Sequence, residues 1–306
     1  MKELWTLRVL LAVALAYFAV KRLWPHEYLA FKSFVIQRSC GCDLGEALPS
    51  VLEIAKEERE KVRIRSASRV LARDRAGYEL LETVDGRFWS PVRDLYLFDV
   101  LAELRLNPYG EAARLRGMVV LDCGAHLGGF TRLAMNAGAR HVVAIEPAPD
   151  EVECLTRTFS QEIRDRQVTV FPKAVWSSTG EMKLMLDNAS TGATVADPKE
   201  LAYGFTERFS VVVPTITIDE LVRELKLDRV DFIKLDIEGA EVPALSGARE
   251  TLRRFKPRLA IAGYHRHDDS VRIPDVVRQA NPGYRSRAFR CRFDLGHNHP
   301  LTLFFE

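Results

Sequence analysis

The sequence predicts an α/β fold, a mostly parallel sheet with helices on both faces, and three observations carry that expectation. Four short runs, 118–121, 141–145, 230–235 and 259–262, are apolar almost throughout and lack the alternation of a half-exposed strand, as expected for strands buried on both faces. Helix-length intervals separate the first two runs, which suits parallel strands joined by crossovers. Three of the runs break abruptly into an acid, Asp122, Glu146 and Asp236. Ligands of open α/β sheets sit beyond the carboxyl ends of the strands, so these acids are expected to border one crevice.

The chain has 306 residues, 47% hydrophobic and 28% charged, enough for a full core plus an appendage and incompatible with disorder. A net charge of +2 gives no support to nucleic acid as the main partner. The five cysteines, Cys40, Cys42, Cys123, Cys154 and Cys291, are odd in number and lack Cys-x-x-Cys spacing, as expected for reduced thiols and not for zinc. Cys40 and Cys42 read as ordinary thiols, with a palmitoylated pair as the alternative.

Taken in order, residues 4–24 form the first element. Val9 to Val20 carries no charge, and Leu4, Trp5, Leu7, Leu23 and Trp24 extend the stretch to about the 20 residues that span a bilayer. Arg8 lies close enough to one end to snorkel, and the tryptophans suit the interfaces. Residues 1–24 are therefore expected to be an uncleaved single-pass membrane anchor. A cleaved signal peptide, with Ala14-Leu-Ala16 as its small-residue site, and an interfacial helix are the competing readings. Lys21, Arg22, Lys32 and Arg38 follow the segment, against Lys2 and Arg8 before or within it, so the positive-inside tendency puts the remaining chain in the cytoplasm.

Residues 25–77 read as a helical connector. Glu53 to Arg75 is dense in both signs, with Glu57 and Lys61 at i,i+4 spacing, and is expected to be a solvated helical face. Contact of Arg63, Arg65, Arg69, Arg73 and Arg75 with anionic lipid is the alternative. From Tyr78 the pattern turns to strands: Tyr78 to Val84 and Arg87 to Val92 flank Asp85-Gly86, a two-residue hairpin signal. Asp94 to Leu106 then has apolar residues at helical spacing. Residues 78–306 are expected to form the main domain, with 78–110 as an extension and 111–306 as the core.

The core opens with the run ending in Asp122, followed by a loop with Gly124 and Gly128. Residues without a Cβ let the backbone take unusual dihedrals and lie close to a ligand, and the next helix aims free N–H groups into the same space. Glu146, ending the second strand, can accept both ribose hydroxyls of an adenosine, the role of an acid about 20 residues after a dinucleotide-binding loop. The loop is Asp-x-Gly-x-x-x-Gly, however, not Gly-x-Gly-x-x-Gly, and Asp122 would oppose a pyrophosphate. An acid there suits a cationic ligand, and a sulfonium cofactor with an amino group, S-adenosylmethionine, fits.

Two separated blocks resemble the FkbM-type S-adenosylmethionine-dependent methyltransferases. Leu121-Asp-Cys-Gly-Ala-His-Leu-Gly-Gly-Phe-Thr131 with Ala144-Ile-Glu-Pro147 is similar to the family's Asp-x-Gly-Ala-Asn-x-Gly loop and Glu-Pro strand end. Thr217-Ile-Asp-Glu-Leu221 with Asp231-Phe-Ile-Lys-Leu-Asp-Ile-Glu-Gly-Ala-Glu241 is similar to its Lys-x-Asp-x-Glu-Gly-x-Glu signature. His126 stands where the family usually has Asn. The resemblance implies a class I, Rossmann-like seven-stranded sheet, S-adenosylmethionine as cofactor and, for most members, methylation on oxygen. It implies cofactor contacts from Asp122, Gly124, Ala125, His126, Gly128 and Glu146. Ala174 is added where class I enzymes commonly offer backbone groups to adenine, with plain packing as its other reading.

After Glu146, Asp150 to Phe159 reads as a helix, Val168 to Phe171 as the third strand and Gly180 to Leu186 as an alternating strand. Asn188 to Pro198 is a polar loop that could serve as a substrate lid. Val211 to Val213 is a further strand, and Thr217-Ile-Asp-Glu220 has capping-box spacing, so a helix begins at about Ile218. The run 230–235 then delivers Lys234 and Asp236, and Glu238 and Glu241 are expected to share a face at the start of the next helix.

Methyl transfer requires the attacking oxygen about 3 Å from the methyl carbon and help in removing its proton. Asp236 is expected to orient the acceptor or the cofactor's amino group and Glu238 or His265 to take the proton, with Glu241 and Lys234 completing the catalytic group. Helix capping is the plainer reading of Glu238 and Glu241. His265 and His267 follow the strand 259–262, and no other spacing supports a metal there. Val271 to Gln279 reads as a helix, and Tyr284 to Phe293 with Leu301 to Phe305 as a terminal antiparallel pair.

These readings converge on a membrane-anchored O-methyltransferase acting on a hydroxyl of a sugar, glycan or other small metabolite. An NAD-type oxidoreductase and a catalytically inactive, membrane-tethered scaffold are the alternatives.

Overall fold

The computed structural model describes residues 50–92, 94, 96–106, 109, 112–186, 193–194, 209–294 and 297–306. The expected anchor, Cys40, Cys42 and most of the loop 188–198 lie outside them. Among the described residues no helix is long and apolar enough to cross a membrane.

Helix α1 (Ser50–Ala67) comes first, but the expected helical face does not run on to Arg75: strand β1 (Arg69–Arg73) follows instead. It pairs antiparallel with β2 (Tyr78–Thr83), which pairs with β3 (Gly86–Pro91). Arg69 and Arg73 meet Glu82 and Glu79 across the β1–β2 ladder, an arrangement of charges that supports two strands side by side. The β2–β3 loop is Val84-Asp85, one residue earlier than expected, because Gly86 pairs with Thr83 and its carbonyl accepts the Thr83 hydroxyl. Helix α2 (Leu97–Arg105) completes this extension. Ile64, Phe88, Leu97 and Leu101 bury together with Leu127 of the glycine loop and the free thiol of Cys154, so the extension is packed against the site's own scaffold.

A short 3-10 turn (Ala112–Leu115) leads into alternating elements: β4 (Val119–Cys123), α3 (Gly129–Asn136), β5 (His141–Ile145), α4 (Pro149–Thr158), α5 (Ser160–Arg164) and β6 (Val168–Phe171). Strands β7 (Ala174–Val175), β8 (Gly180–Leu186), β9 (Ala193–Thr194) and β10 (Phe209–Ile216) form a separate sheet in the order β7-β10-β8-β9. The chain then returns through α6 (Ile218–Glu224), β11 (Phe232–Leu235), α7 (Glu241–Ser246), α8 (Arg249–Arg254), β12 (Arg258–Ala262), α9 (Asp269–Ala280), β13 (Ser286–Asp294) and β14 (His297–Phe305). The Thr217 hydroxyl caps α6 through the Glu220 N–H at 3.0 Å, but Glu220 does not close the expected box; its carboxylate accepts the Thr179 hydroxyl.

The main sheet has seven strands in the order β13-β14-β12-β11-β4-β5-β6. β6, β5, β4, β11 and β12 are parallel, and β14 is antiparallel to both β12 and β13, the expected terminal pair. Alternate residues of the central strands enter two cores. Leu121, Val143, Ile233 and Ile261 pack with Leu221, Leu245 and Ile273 on one face; Val120, Val142, Phe232 and Ala260 pack with Phe130, Ala134 and Leu155 on the other. Burial on both faces is why these strands read as unbroken apolar runs. From β4 the chain winds outward to β6, and from β11 it winds the opposite way, so the loops after β4 and β11 part over a crevice at the switch point.

Candidate functional site

The crevice is built on a charge pair. Asp122 and Lys234 are opposite one another in the β4–β11 register, both essentially buried, with Lys234 Nζ 3.2 Å from Asp122 Oδ1. Lys234 also donates to the Gly124 carbonyl at 2.6 Å, and Asp122 Oδ2 accepts the Thr131 hydroxyl at 2.7 Å. Burial by itself would lower the lysine pKa, but Asp122 and Asp236 overcome that and hold it above its ordinary value. The carboxylate expected to meet a cationic ligand is thus met by Lys234 and Thr131 from within the chain, and Lys234 lies under the glycine loop, braced against it.

Gly124 and Gly128 have φ of +78° and +89°, the left-handed region that glycine favours. What crowds them is protein. A Cβ at Gly124 would stand 1.9 Å from the Asp236 carbonyl oxygen, and one at Gly128 would stand 2.3 Å from Cε2 of Phe159. The first approach clamps the loop after β4 to the loop after β11. Ala125 is buried in the core beside Phe130. The backbone N–H of His126 donates to Glu146 Oε2 at 2.9 Å, and Ala148 N–H donates to Glu146 Oε1 at 3.1 Å. Burial raises the Glu146 pKa, although those two N–H groups act in the opposite direction. Ala174, on β7, packs in one apolar cluster with Ala148.

The loop after β11 carries the second half. Glu238 does not share the helix with Glu241: α7 begins at Glu241, and Glu238 stands in the preceding turn at φ +54°. The turn aims its side chain back toward His265. His265 Nδ1 lies 2.8 Å from Glu241 Oε1, while Nε2 lies 3.4 Å from Asp236 Oδ1 and 3.6 Å from Glu238 Oε2. Glu241 Oε1 also accepts the Ile237 N–H at 2.9 Å, which ties the turn to the helix. Burial opposes charge on His265, but Glu241, Glu238 and Asp236 prevail and raise its pKa to about 10. His265 and Glu241 are buried, whereas the Asp236 and Glu238 side chains retain 21% and 30% exposure, so an incoming molecule can reach only the latter pair. His267, by contrast, is exposed.

Sequence reasoning missed Tyr109, whose hydroxyl donates to Asp236 Oδ2 at 2.5 Å and whose ring packs edge-on against Phe130. Its position just after an apolar helix next to the core was the available signal, but nothing in the local pattern names a partner on β11's loop. Thr194 was missed as well: it is buried on β9, in a segment read as loop, and its hydroxyl donates to the Glu238 carbonyl at 2.7 Å. The alternation of 180–186, so unlike the continuous runs of the main sheet, was the sign that this strand belongs to a different sheet.

A switch-point crevice with a glycine loop on one side, an acid after the second strand and an acid–histidine cluster on the other lies where ligands of open α/β sheets bind. The family model for the FkbM methyltransferase domain matches residues 122–287, more than half of the chain. The chain belongs to that family. No curated protein matches it. Among solved structures, the methyltransferase FkbM from Methylobacillus flagellatus is 19% identical with a TM-score of 0.45, over 84% of this chain and 59% of that one. A SAM-dependent methyltransferase from Agrobacterium tumefaciens is 12% identical with a TM-score of 0.40, over 78% of this chain and 69% of that one.

Proposed function

We propose that this chain is an S-adenosylmethionine-dependent O-methyltransferase whose acceptor is a hydroxyl on a sugar, glycan or other small metabolite. The observation that carries the reading is the reachable pair Asp236 and Glu238, set above a buried imidazole beside the glycine loop. The residues at that loop suit the cofactor. His126 Nδ1 is buried with no hydrogen-bond partner among the described residues, and each Glu146 oxygen accepts one N–H and keeps an acceptor position. Glu146 would hold the ribose hydroxyls, with the backbone from Gly124 to Gly128 alongside. When bound, the cofactor supplies an electrophilic methyl group.

The protein's part is to hold an acceptor hydroxyl and remove its proton. His265, already protonated within its three carboxylates, is a poor proton acceptor and acts as the cation that keeps Asp236 and Glu238 together. Burial would raise the Asp236 pKa, but Lys234, His265 and Tyr109 keep it below the ordinary value, so Asp236 is a weak base suited to orienting the acceptor. Glu238, the more exposed of the pair, is left to take the proton. Residues 1–24 would tether the enzyme to a membrane with the catalytic domain on the cytoplasmic side, a reading supported by the charge-free run Val9 to Val20 and the basic residues after it.

Isothermal titration of the full chain with S-adenosylmethionine and, separately, with NADH tests the cofactor. Micromolar binding of the sulfonium alone, weakened by Glu146→Ala, is expected; binding of NADH in its place would return the reading to an oxidoreductase. Transfer of labelled methyl to a panel of hydroxylated acceptors is then expected to fall about 10²–10⁴-fold in Glu238→Gln, the usual contribution of a general base.

A further inference from the structure

We propose that Asp269, the first residue of α9, is a positioning residue of the acid–histidine cluster: it holds a proton and donates it to Glu241, which keeps Glu241 set against His265. That role in methyl transfer rests on the function proposed above; the proton itself does not. Helices α7 and α9 share one core, with Val242, Leu245, Ile273 and Val277 buried in it. Glu241 and Asp269 open these two helices, and both are fully buried.

Their four oxygens are unequally served. Glu241 Oε1 has the Ile237 N–H at 2.9 Å and the His265 ring at 2.8 Å, and Asp269 Oδ2 accepts the Arg266 N–H at 2.7 Å. Glu241 Oε2 and Asp269 Oδ1 are buried with no hydrogen-bond partner among the described residues. Two ionised carboxylates in that state would each leave a buried acceptor unserved, which is costly. One proton relieves both, since a neutral carboxyl has an O–H to give and the other group has an oxygen to take it.

The neighbouring charges say which carboxyl holds the proton. Glu241 has the His265 cation in direct contact, so one buried anion is matched by one buried cation. Asp269 makes no ion pair among the described residues. The groups acting on it are Glu241 from α7, the Arg266 N–H and His265 from the loop after β12, and Asp268 beside it. Burial and the Glu241 charge raise its pKa to about 7, against the weaker pull of the Arg266 N–H and His265.

Urea unfolding of the full chain, Asp269→Asn, Glu241→Gln and the double variant, repeated across pH, tests the proton without any activity readout. Asn keeps the shape of a protonated Asp and an N–H to donate, so Asp269→Asn is expected to fold. The folded natural chain holds the Asp269 proton more tightly than the unfolded chain, so it loses that stabilisation as pH rises from the ordinary value, 3.8, to about 7. Asn has no proton to lose. The denaturation midpoint of Asp269→Asn is therefore expected to rise relative to that of the natural chain across this window, and Glu241→Gln to shrink the rise. A midpoint difference constant with pH would show Asp269 ionised in the fold and overturn the proposal; a rise undiminished by Glu241→Gln would remove Glu241 as the acceptor. An ionised Asp269 no longer donates to Glu241 and repels it, so the methyl-transfer rate of the natural chain relative to Asp269→Asn should fall as pH passes about 7. A ratio independent of pH would overturn the positioning role. The unfolding arms need no methyl transfer, so their failure is distinct from failure of the proposed function.

Discussion

Lys234 and Asp122 stand in register on adjacent parallel strands, their charged atoms 3.2 Å apart in the middle of the main sheet, on two strands whose other residues are apolar. A buried pair of this kind is costly to break from one side, because the remaining charge is left without a partner. Lys234→Met is therefore expected to lower stability by roughly 3–5 kcal/mol. The double variant Lys234→Met, Asp122→Leu should recover a large part of that loss, since no charge is stranded. Urea unfolding of the single and double variants measures both; equal losses in the two would mean that the lysine's packing matters and its charge does not.

His265 gives a pH signature. Below about pH 6.5, the ordinary histidine value, the ring is charged in folded and unfolded chains alike, and the stabilisation from its three carboxylates is complete. As pH rises toward about 10 the folded chain keeps the proton that the unfolded chain has lost, so the stabilisation declines across that window and is gone above it. The stability gap between the natural chain and His265→Gln should be widest near pH 6 and close toward pH 10. A gap that stays constant between those values would show that the ring is neutral in the fold.

Gly124 holds the two loops together by having no side chain. In Gly124→Ala the left-handed backbone costs roughly 1–2 kcal/mol, and the new Cβ, 1.9 Å from the Asp236 carbonyl, forces the loops apart. Loss of at least that much stability is expected, together with about tenfold weaker S-adenosylmethionine binding, the equivalent of the same energy. Titration on the folded fraction separates the two effects, and unchanged affinity would sever the link between loop spacing and cofactor.

Tyr109→Phe keeps the ring against Phe130 and removes only the donor to Asp236. A hydrogen bond to a charged group contributes about 1.5–3 kcal/mol, and a stability loss in that range is expected. The Asp236 carboxyl should titrate at higher pH in the variant, because one of the groups keeping its pKa low is gone. Carbon-13 spectra of labelled aspartate across a pH series would detect the change.

The strands that were legible are those whose environment leaves a mark on consecutive residues. β4, β5, β11 and β12 are covered on both faces, so apart from His141, Lys234 and Arg258 their residues are apolar up to the acids Asp122, Glu146 and Asp236, which therefore stand out. β1 was illegible because all five of its residues are exposed; its pairing depends on Glu79 and Glu82 of the next strand, and in isolation its arginines look like part of a solvated helix. Tyr109 was hidden for a related reason, since its partner lies 127 residues further along.

By itself, the sequence determined the α/β core and the set of acids at the strand ends, because covalent order and hydrophobic pattern are local properties, while the seven-strand count and the family followed from the resemblance of its two motif blocks. Tertiary structure decided what those acids do. It pairs Asp122 with Lys234, surrounds His265 with three carboxylates and leaves Asp236 and Glu238 within reach of solvent. Charge state and access depend on burial and on neighbours brought in from distant segments, and the order of residues along the chain carries neither.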